Sequence, residues 1–229
     1  MIQVAARNNL TPAALPGIVI GRGEAKVLGK IGRVVWAAAS QEDASSSRLG
    51  STAPCPTSQV ARRRLEHLAG RLAARRALLA LGFDPSRTQI IRDPDGGPKL
   101  RGEAEALAIS ITHSAGLAYA AVGRVRSLGI DLCCLEAGER LRSVADRFLR
   151  RERHLLGSPF EHAACWALKE AGLKALRLGL LEGGIFDERH RIEVLSLDPP
   201  RIRPPWLRVR IIRTHLGPLA IAWQLKNSA

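Results

Sequence analysis

The chain has 229 residues and a mass of 24.8 kDa, the size of one large domain or two small ones. Hydrophobic residues make up 46% and charged residues 24%, which excludes wholesale disorder and collagen-like repeats and leaves enough apolar surface for a core without disulfide or metal staples. Thirty-five basic residues against twenty-one acidic ones give a net charge of +14, which directs attention to polyanionic partners: nucleic acid, an anionic membrane, a phosphorylated small molecule or an acidic protein.

Other features narrow that set. Aromatic residues are only 4% of the chain, too few for base-stacking platforms, so nucleic acid is disfavoured. Twenty-nine of the thirty-five cations are arginine, the side chain suited to bidentate grips on phosphate and carboxylate. The longest apolar runs, such as Val34–Ala39, are far too short to span a bilayer. The first twenty residues lack a basic segment followed by a continuous apolar one, so a cytoplasmic protein is expected. The cysteines at 55, 133, 134 and 165 form no C-x-x-C pair and read as free thiols in a reducing compartment.

In chain order, residues 1–30 are punctuated by Gly and Pro, and Ile31–Ala39 reads as a buried strand. Ser40–Ser58 is rich in Ser, Thr and Pro and reads as a loop. Gln59–Leu81 has helical spacing, with Leu65, Ala69, Leu72, Arg76 and Leu79 on one stripe and Gly82 as the cap. Arg64, Leu68, Arg71 and Arg75 form a neighbouring stripe, so three guanidiniums face one way. A turn at Asp93–Pro98 precedes three strands at Leu107–Thr112, Leu117–Val122 and Leu128–Leu132. Residues 139–156 alternate Arg with apolar positions at helical spacing. Ser158, Pro159 and Glu161 combine an N-cap, a first-turn proline and a capping box, starting a helix that runs to about Leu178 and closes at Gly179. The tail, 185–225, reads as strands separated by turns, and the whole is of α+β class.

Three short segments can carry chemistry. Trp166, Glu170 and Lys174 stand at successive i,i+4 positions, one face of a helix. That spacing suits an ordinary surface Glu–Lys pair, and equally a carboxylate for a hard cation beside an ammonium for phosphate. Gly129-Ile130-Asp131 ends a strand in a carboxylate, as a turn former or cap also would. Thr112-His113-Ser114 ends another strand in hydroxyls and an imidazole, groups that donate to phosphate oxygens.

Taken in order, T-H-S, a strand, G-I-D and then W-A-L-K-E-A-G-L-K resemble the surfactin-type 4'-phosphopantetheinyl transferases. Their pattern is an S/T-H-S strand, a G-[IV]-D-x-E strand end and a W-x-x-K-E-[AS]-x-x-K helix. The run Arg63–Arg75 is similar to the R-x-x-E-x-L-x-G-R-x-A-A-R helix of the siderophore-associated branch. Asp95–Pro98 is similar to its G-x-P turn, and Phe148–Leu156 to its F-x-x-x-E segment. The resemblance spans roughly residues 60–180.

The resemblance implies a fold and an activity. The fold is a pseudo-dimer of two similar α+β halves, residues 1–125 and 126–229, with the site in the cleft between them. The activity is transfer of 4'-phosphopantetheine from coenzyme A to a serine of an apo carrier protein, releasing adenosine 3',5'-bisphosphate. The implied cofactor is Mg²⁺, with Mn²⁺ as a substitute. The implied partners are coenzyme A and an acidic acyl, peptidyl or aryl carrier, met by a monomer with no membrane association. Asp131 and Glu170 become metal ligands, and Glu170 and Lys174 the catalytic residues. Glu170 deprotonates the attacking serine, directly or through a metal-bound water. Lys174 neutralises the pyrophosphate. Arg64, Arg71, Arg75, Thr112, His113, Asp131 and Lys174 bind coenzyme A.

Two positions depart from the pattern. Cys133 stands where the family has its second carboxylate, and a thiolate is a soft ligand and a poor partner for Mg²⁺. Gly97 stands where the turn has lysine, with Lys99 just after Pro98 as a replacement. The first departure leaves open a second function class, a catalytically silent relative that binds coenzyme A or a carrier. A basic nucleic-acid-binding protein is a remote third, supported by charge alone.

Overall fold

The computed structural model describes residues 28–31, 33–46, 59–94, 96–143, 145, 149–178 and 192–226. Expectations for residues 1–27, most of the Ser40–Ser58 stretch, Phe148 and Gly179 lie outside them.

Two sheets form around central strands that are buried on both faces. The first has the order β1-β2-β6-β5, from β1 (Leu28–Ile31), β2 (Val34–Ser40), β5 (Ala108–Ser114) and β6 (Leu117–Gly123), all antiparallel. The second has the order β10-β11-β7, from β7 (Ser127–Leu132), β10 (Arg208–Arg213) and β11 (Pro218–Gln224). Strand alternation gives each sheet two packed faces. Val34, Trp36, Tyr119 and Ala121 of the first sheet meet Ile130, Leu219, Ile221 and Trp223 of the second in a shared core. The outer face of the first sheet, Val35, Ala37, Ala120 and Val122, packs on helix α2 (Gln59–Ala80). The outer face of the second, Ala220 and Ala222, packs on helix α4 (Pro159–Leu176). The layers therefore run helix, sheet, sheet, helix, an α+β arrangement. Two hairpins flank them, β3 (Thr88–Arg92) with β4 (Pro98–Gly102) and β8 (Glu193–Leu197) with β9 (Pro200–Arg203). The described residues also hold short helices α1 (Gln41–Ser46) and α3 (Leu135–Arg142), with 3-10 turns at Pro85–Arg87 and Arg150–Leu155.

Several elements differ from the sequence reading. The Ile31–Ala39 run is split by a turn into β1 and β2. The start of the supposed loop is helix α1, entered through a reciprocal capping box. Asp43 N donates to Ser40 Oγ at 2.9 Å and Ser40 N to Asp43 Oδ2 at 3.1 Å. The buried stripe of α2 is Ala69, Gly70, Ala73, Ala74, Ala77 and Leu78, one step round from the leucine stripe, and Leu79 is 61% exposed. Small residues win because they let the helix approach the sheet closely. Within 139–156 a helix covers Leu135–Arg142 and a 3-10 turn covers Arg150–Leu155. Helix α4 stops at Leu176, because Arg177 takes the left-handed conformation (φ 57°) and its N–H closes on Leu173 and Lys174.

Candidate active site

Two glycines set how closely the layers meet. A Cβ on Gly129 would lie 1.9 Å from the Ala171 carbonyl and 2.7 Å from Ala175 N. Only a bare backbone lets α4 lie against β7 at that point, and the contact brings Glu170 and Lys174, which directly precede Ala171 and Ala175, to the strand. On the other side of the molecule a Cβ on Gly70 would lie 2.8 Å from a methyl of the Ile111 side chain, a looser contact of α2 with β5.

At the end of β7, Asp131 is buried (7% exposed), and its Oδ1 accepts from Lys174 Nζ at 2.6 Å and from Thr112 Oγ1 at 3.0 Å. Lys174 Nζ also donates to the Ile130 carbonyl at 3.2 Å. One residue pair earlier, Ile130 N donates to Ser110 Oγ at 3.1 Å, so hydroxyls of β5 stitch the two sheets together. Burial raises the Glu170 carboxyl above its ordinary value, the Asp131 charge adds to the rise, and Lys174 opposes it. The two acids thus repel across a partly desolvated space with one ammonium between them. Such a site gains from a further cation, so the donor set fits a divalent metal, though sparsely. Among the described residues no cluster of three His, Cys, Asp or Glu side chains is arranged to hold one. Waters and substrate phosphates would have to complete the shell of Asp131 and Glu170, as Mg²⁺ commonly accepts.

Cys133 adds no ligand of that kind. Burial pushes its thiol up to about 12, with Asp131 the next contributor, and its Sγ donates toward the Cys134 carbonyl at 3.7 Å. It is a neutral thiol at physiological pH.

Thr112 and His113 point to opposite faces of β5, as strand neighbours must. Thr112 is buried and its hydroxyl donates a hydrogen bond to Asp131, which makes it a support for that carboxylate. His113 is exposed and lines a cleft of about 480 Å³ between α2, β5 and the β3–β4 hairpin. Arg71 lines the same cleft, but Arg64 and Arg75, on the same stripe of the helix, are not among its lining residues. The cations that do face it are Arg63, Arg71 and Arg92, with His67. Arg63 and Arg92 were missed by the sequence reading. Arg63, His67 and Arg71 stand at i, i+4 and i+8, a spacing that marks one face. Arg71 Nε donates to His67 Nε2 at 2.8 Å, so this imidazole is neutral; burial first, then Arg71 and Arg92, hold its pKa below the usual value. Pro98 lines the cleft, while Lys99 points the other way and is exposed. Arg92, cross-strand from Pro98, supplies the cation at the turn in its place. Asp93 of that turn pairs with Arg177 at the end of α4, tying the cleft to the Asp131–Lys174 site.

A second feature was missed. Lys169 Nζ lies 2.9 Å from Glu152 Oε1, and both side chains are almost wholly buried. Glu152 Oε1 also accepts from Val194 N at 3.0 Å, so the pair fastens the 3-10 turn and β8 to α4 directly beside Glu170.

Comparison with known proteins bears on these residues as a group. The family model described as the 4'-phosphopantetheinyl transferase N-terminal domain matches residues 55–123, which carry α2, the β3–β4 hairpin and His113. The 4'-phosphopantetheinyl transferase HetI of Nostoc sp. (strain PCC 7120) is 33% identical over 162 residues, covering 64% of this chain and 67% of that protein. A 1-deoxy-D-xylulose 5-phosphate reductoisomerase of Moorella thermoacetica is 27% identical over 166 residues, 65% of this chain but 43% of that protein. Among the described residues no helix is long and apolar enough to cross a membrane. HetI is matched over two thirds of its length at that identity, and the N-terminal family model falls on the helix and hairpin that form the cleft: the chain belongs to the 4'-phosphopantetheinyl transferase family.

Proposed function

We propose that the protein transfers 4'-phosphopantetheine from coenzyme A to a serine of an acidic apo carrier protein, in the cytoplasm and as a monomer. The observation that carries this is Asp131, Glu170 and Lys174 gathered at the end of β7, next to a cleft lined by Arg63, Arg71, Arg92 and His113. The cleft cations suit the phosphates of coenzyme A, and the +14 charge suits an acidic carrier. The similarity of Arg63–Arg75 to the siderophore-associated branch supports a carrier of secondary metabolism. The matching helix-on-sheet layers support two related halves, 1–125 and 126–229, that meet at β5 and β7.

Asp131 and Glu170 would hold Mg²⁺ or Mn²⁺, which supplies charge neutralisation on the pyrophosphate when bound. Thr112 and Lys174 orient Asp131 by hydrogen bonding to the same oxygen. Glu170 accepts the serine hydroxyl proton; its raised pKa makes it a stronger base than a solvated carboxylate. The serine oxygen forms a P–O bond to the pantetheine-bearing phosphorus while the bond to adenosine 3',5'-bisphosphate breaks. Lys174 stands where it meets the leaving phosphate's charge. The neutral thiol at 133 favours the second reading, a relative that binds coenzyme A or carrier without transfer. Incubation with coenzyme A, Mg²⁺ and a panel of apo carriers separates the two: transfer adds the mass of one phosphopantetheine, whereas binding alone adds nothing covalent.

A further inference from the structure

The turn end of the β3–β4 hairpin forms one wall of the cleft, through Arg92, Gly96, Gly97 and Pro98. The strands of this hairpin are anchored on the first half of the chain, with Ile90 and Leu100 in the core under α2. The turn has no such anchor, since Pro94 and Gly96 are exposed. It keeps its own shape through backbone bonds. Asp93 N donates to the Gly97 carbonyl at 2.8 Å, and Gly96 N to the Asp93 carbonyl at 2.8 Å. Arg92 Nε donates to the Gly96 carbonyl at 3.0 Å, so this cleft cation moves with the turn.

One side chain carries the turn across to the second half. The Asp93 side chain is only 15% exposed, and its Oδ2 accepts from Arg177 Nη1. Among the described residues this ion pair joins 1–125 to 126–229, whereas the other ion pairs each stay within one half. Arg177 caps α4 just beyond Lys174, with φ at 57°. Glycine takes that left-handed conformation with no Cβ penalty, so the cap alone does not account for a side chain there. An arginine held against its backbone preference implies a use for the guanidinium.

We propose that Asp93 and Arg177 are positioning residues for coenzyme A: their pair clasps the cleft wall to the end of α4 and holds Arg92 in place relative to Lys174. The proposal rests on coenzyme A being the occupant of the cleft. Neither residue lines the cleft itself. Without Arg177 the Asp93 carboxylate is left largely out of water and without its partner, so the turn swings out to hydrate it and takes Arg92 along. The wall must then be reordered each time coenzyme A binds, which weakens affinity but leaves the chemistry at Asp131 and Glu170 alone.

The test compares the full chain with Arg177→Gly, which keeps the helix end and removes the guanidinium. In the free protein, hydrogen exchange followed by NMR should be severalfold faster at the Asp93 and Gly96 amides and unchanged along β6. Calorimetric titration with coenzyme A should show affinity reduced about fivefold, the scale of a partly exposed ion pair. In transfer assays the KM for coenzyme A should rise likewise, with kcat and the carrier's KM within about twofold of wild type. The melting temperature should stay within about 2 °C, which separates positioning from lost stability. Asp93→Ala should reproduce the effect, and the double variant should add nothing to it. Arg177→Lys should restore affinity to within about twofold. With wild type binding normally, unchanged exchange at Asp93 and Gly96, unchanged affinity in Arg177→Gly, or additive losses in the double variant would overturn the clasp alone. No binding of coenzyme A by wild type would overturn the transfer reading and this proposal with it.

Discussion

Glu170 carries opposed demands. Its pKa is raised in the folded chain, so the neutral acid favours folding below the ordinary value of 4.5, and that contribution is lost as pH rises through the folded value. At neutral pH the ionised carboxylate therefore costs stability that a bound divalent cation would offset. In EDTA, Glu170→Gln should raise the melting temperature at pH 7, and the gain over wild type should vanish below about pH 4. The same change should lower transfer by about a hundredfold or more, the usual weight of a positioned base. A variant less stable than wild type at pH 7 would contradict the repulsion between Asp131 and Glu170. Cys133, its thiol near 12 and 4% exposed, should resist iodoacetamide at pH 8 in the native state, read by peptide mass mapping. Cys133→Ser should leave the transfer rate within a fewfold.

At the scale of elements, the close seating of α4 on β7 governs the site. Gly129→Ala puts a methyl group inside the Ala171 carbonyl's contact distance, so the helix must move. Urea unfolding should show a loss of about 1–3 kcal/mol or more, with transfer falling further than stability as Glu170 and Lys174 shift. The Lys169–Glu152 pair makes a second prediction. Removing one partner, as in Lys169→Met, strands a buried charge and should cost about 3–5 kcal/mol. Lys169→Met with Glu152→Leu should recover much of it. These contacts also mark where the sequence was legible. The T-H-S, G-I-D and W-A-L-K-E-A-G-L-K segments carry local signals, capping, glycine and period, and the structure places Asp131, Glu170 and Lys174 together. What could not be read depends on partners distant in sequence. Glu152 finds Lys169 and Val194 only through the fold. The split of Thr112 from His113 follows from strand alternation, but which face meets β7 does not. The Ser40–Asp43 box was legible, and the Ser- and Pro-rich composition around it masked the signal.

At the scale of the molecule, the charge excess is spread over the cleft, a second groove beside β10 and exposed arginines, so it acts at long range more than through fixed pairs. If it draws in an acidic carrier, raising ionic strength from 50 to 500 mM should raise the carrier's KM several-fold and leave kcat nearly unchanged, since screening weakens exposed pairs at these ~4–14 Å Debye lengths. The central claim is that the carboxylates and lysine at the end of β7 perform the transfer. It is tested most directly by intact-mass measurement of apo carrier proteins incubated with coenzyme A, Mg²⁺ and either wild type or Asp131→Ala. The account predicts a gain of one phosphopantetheine on at least one carrier with wild type, dependent on divalent metal and lost with Asp131→Ala. Full modification by Asp131→Ala, or none of any carrier by wild type, would contradict it.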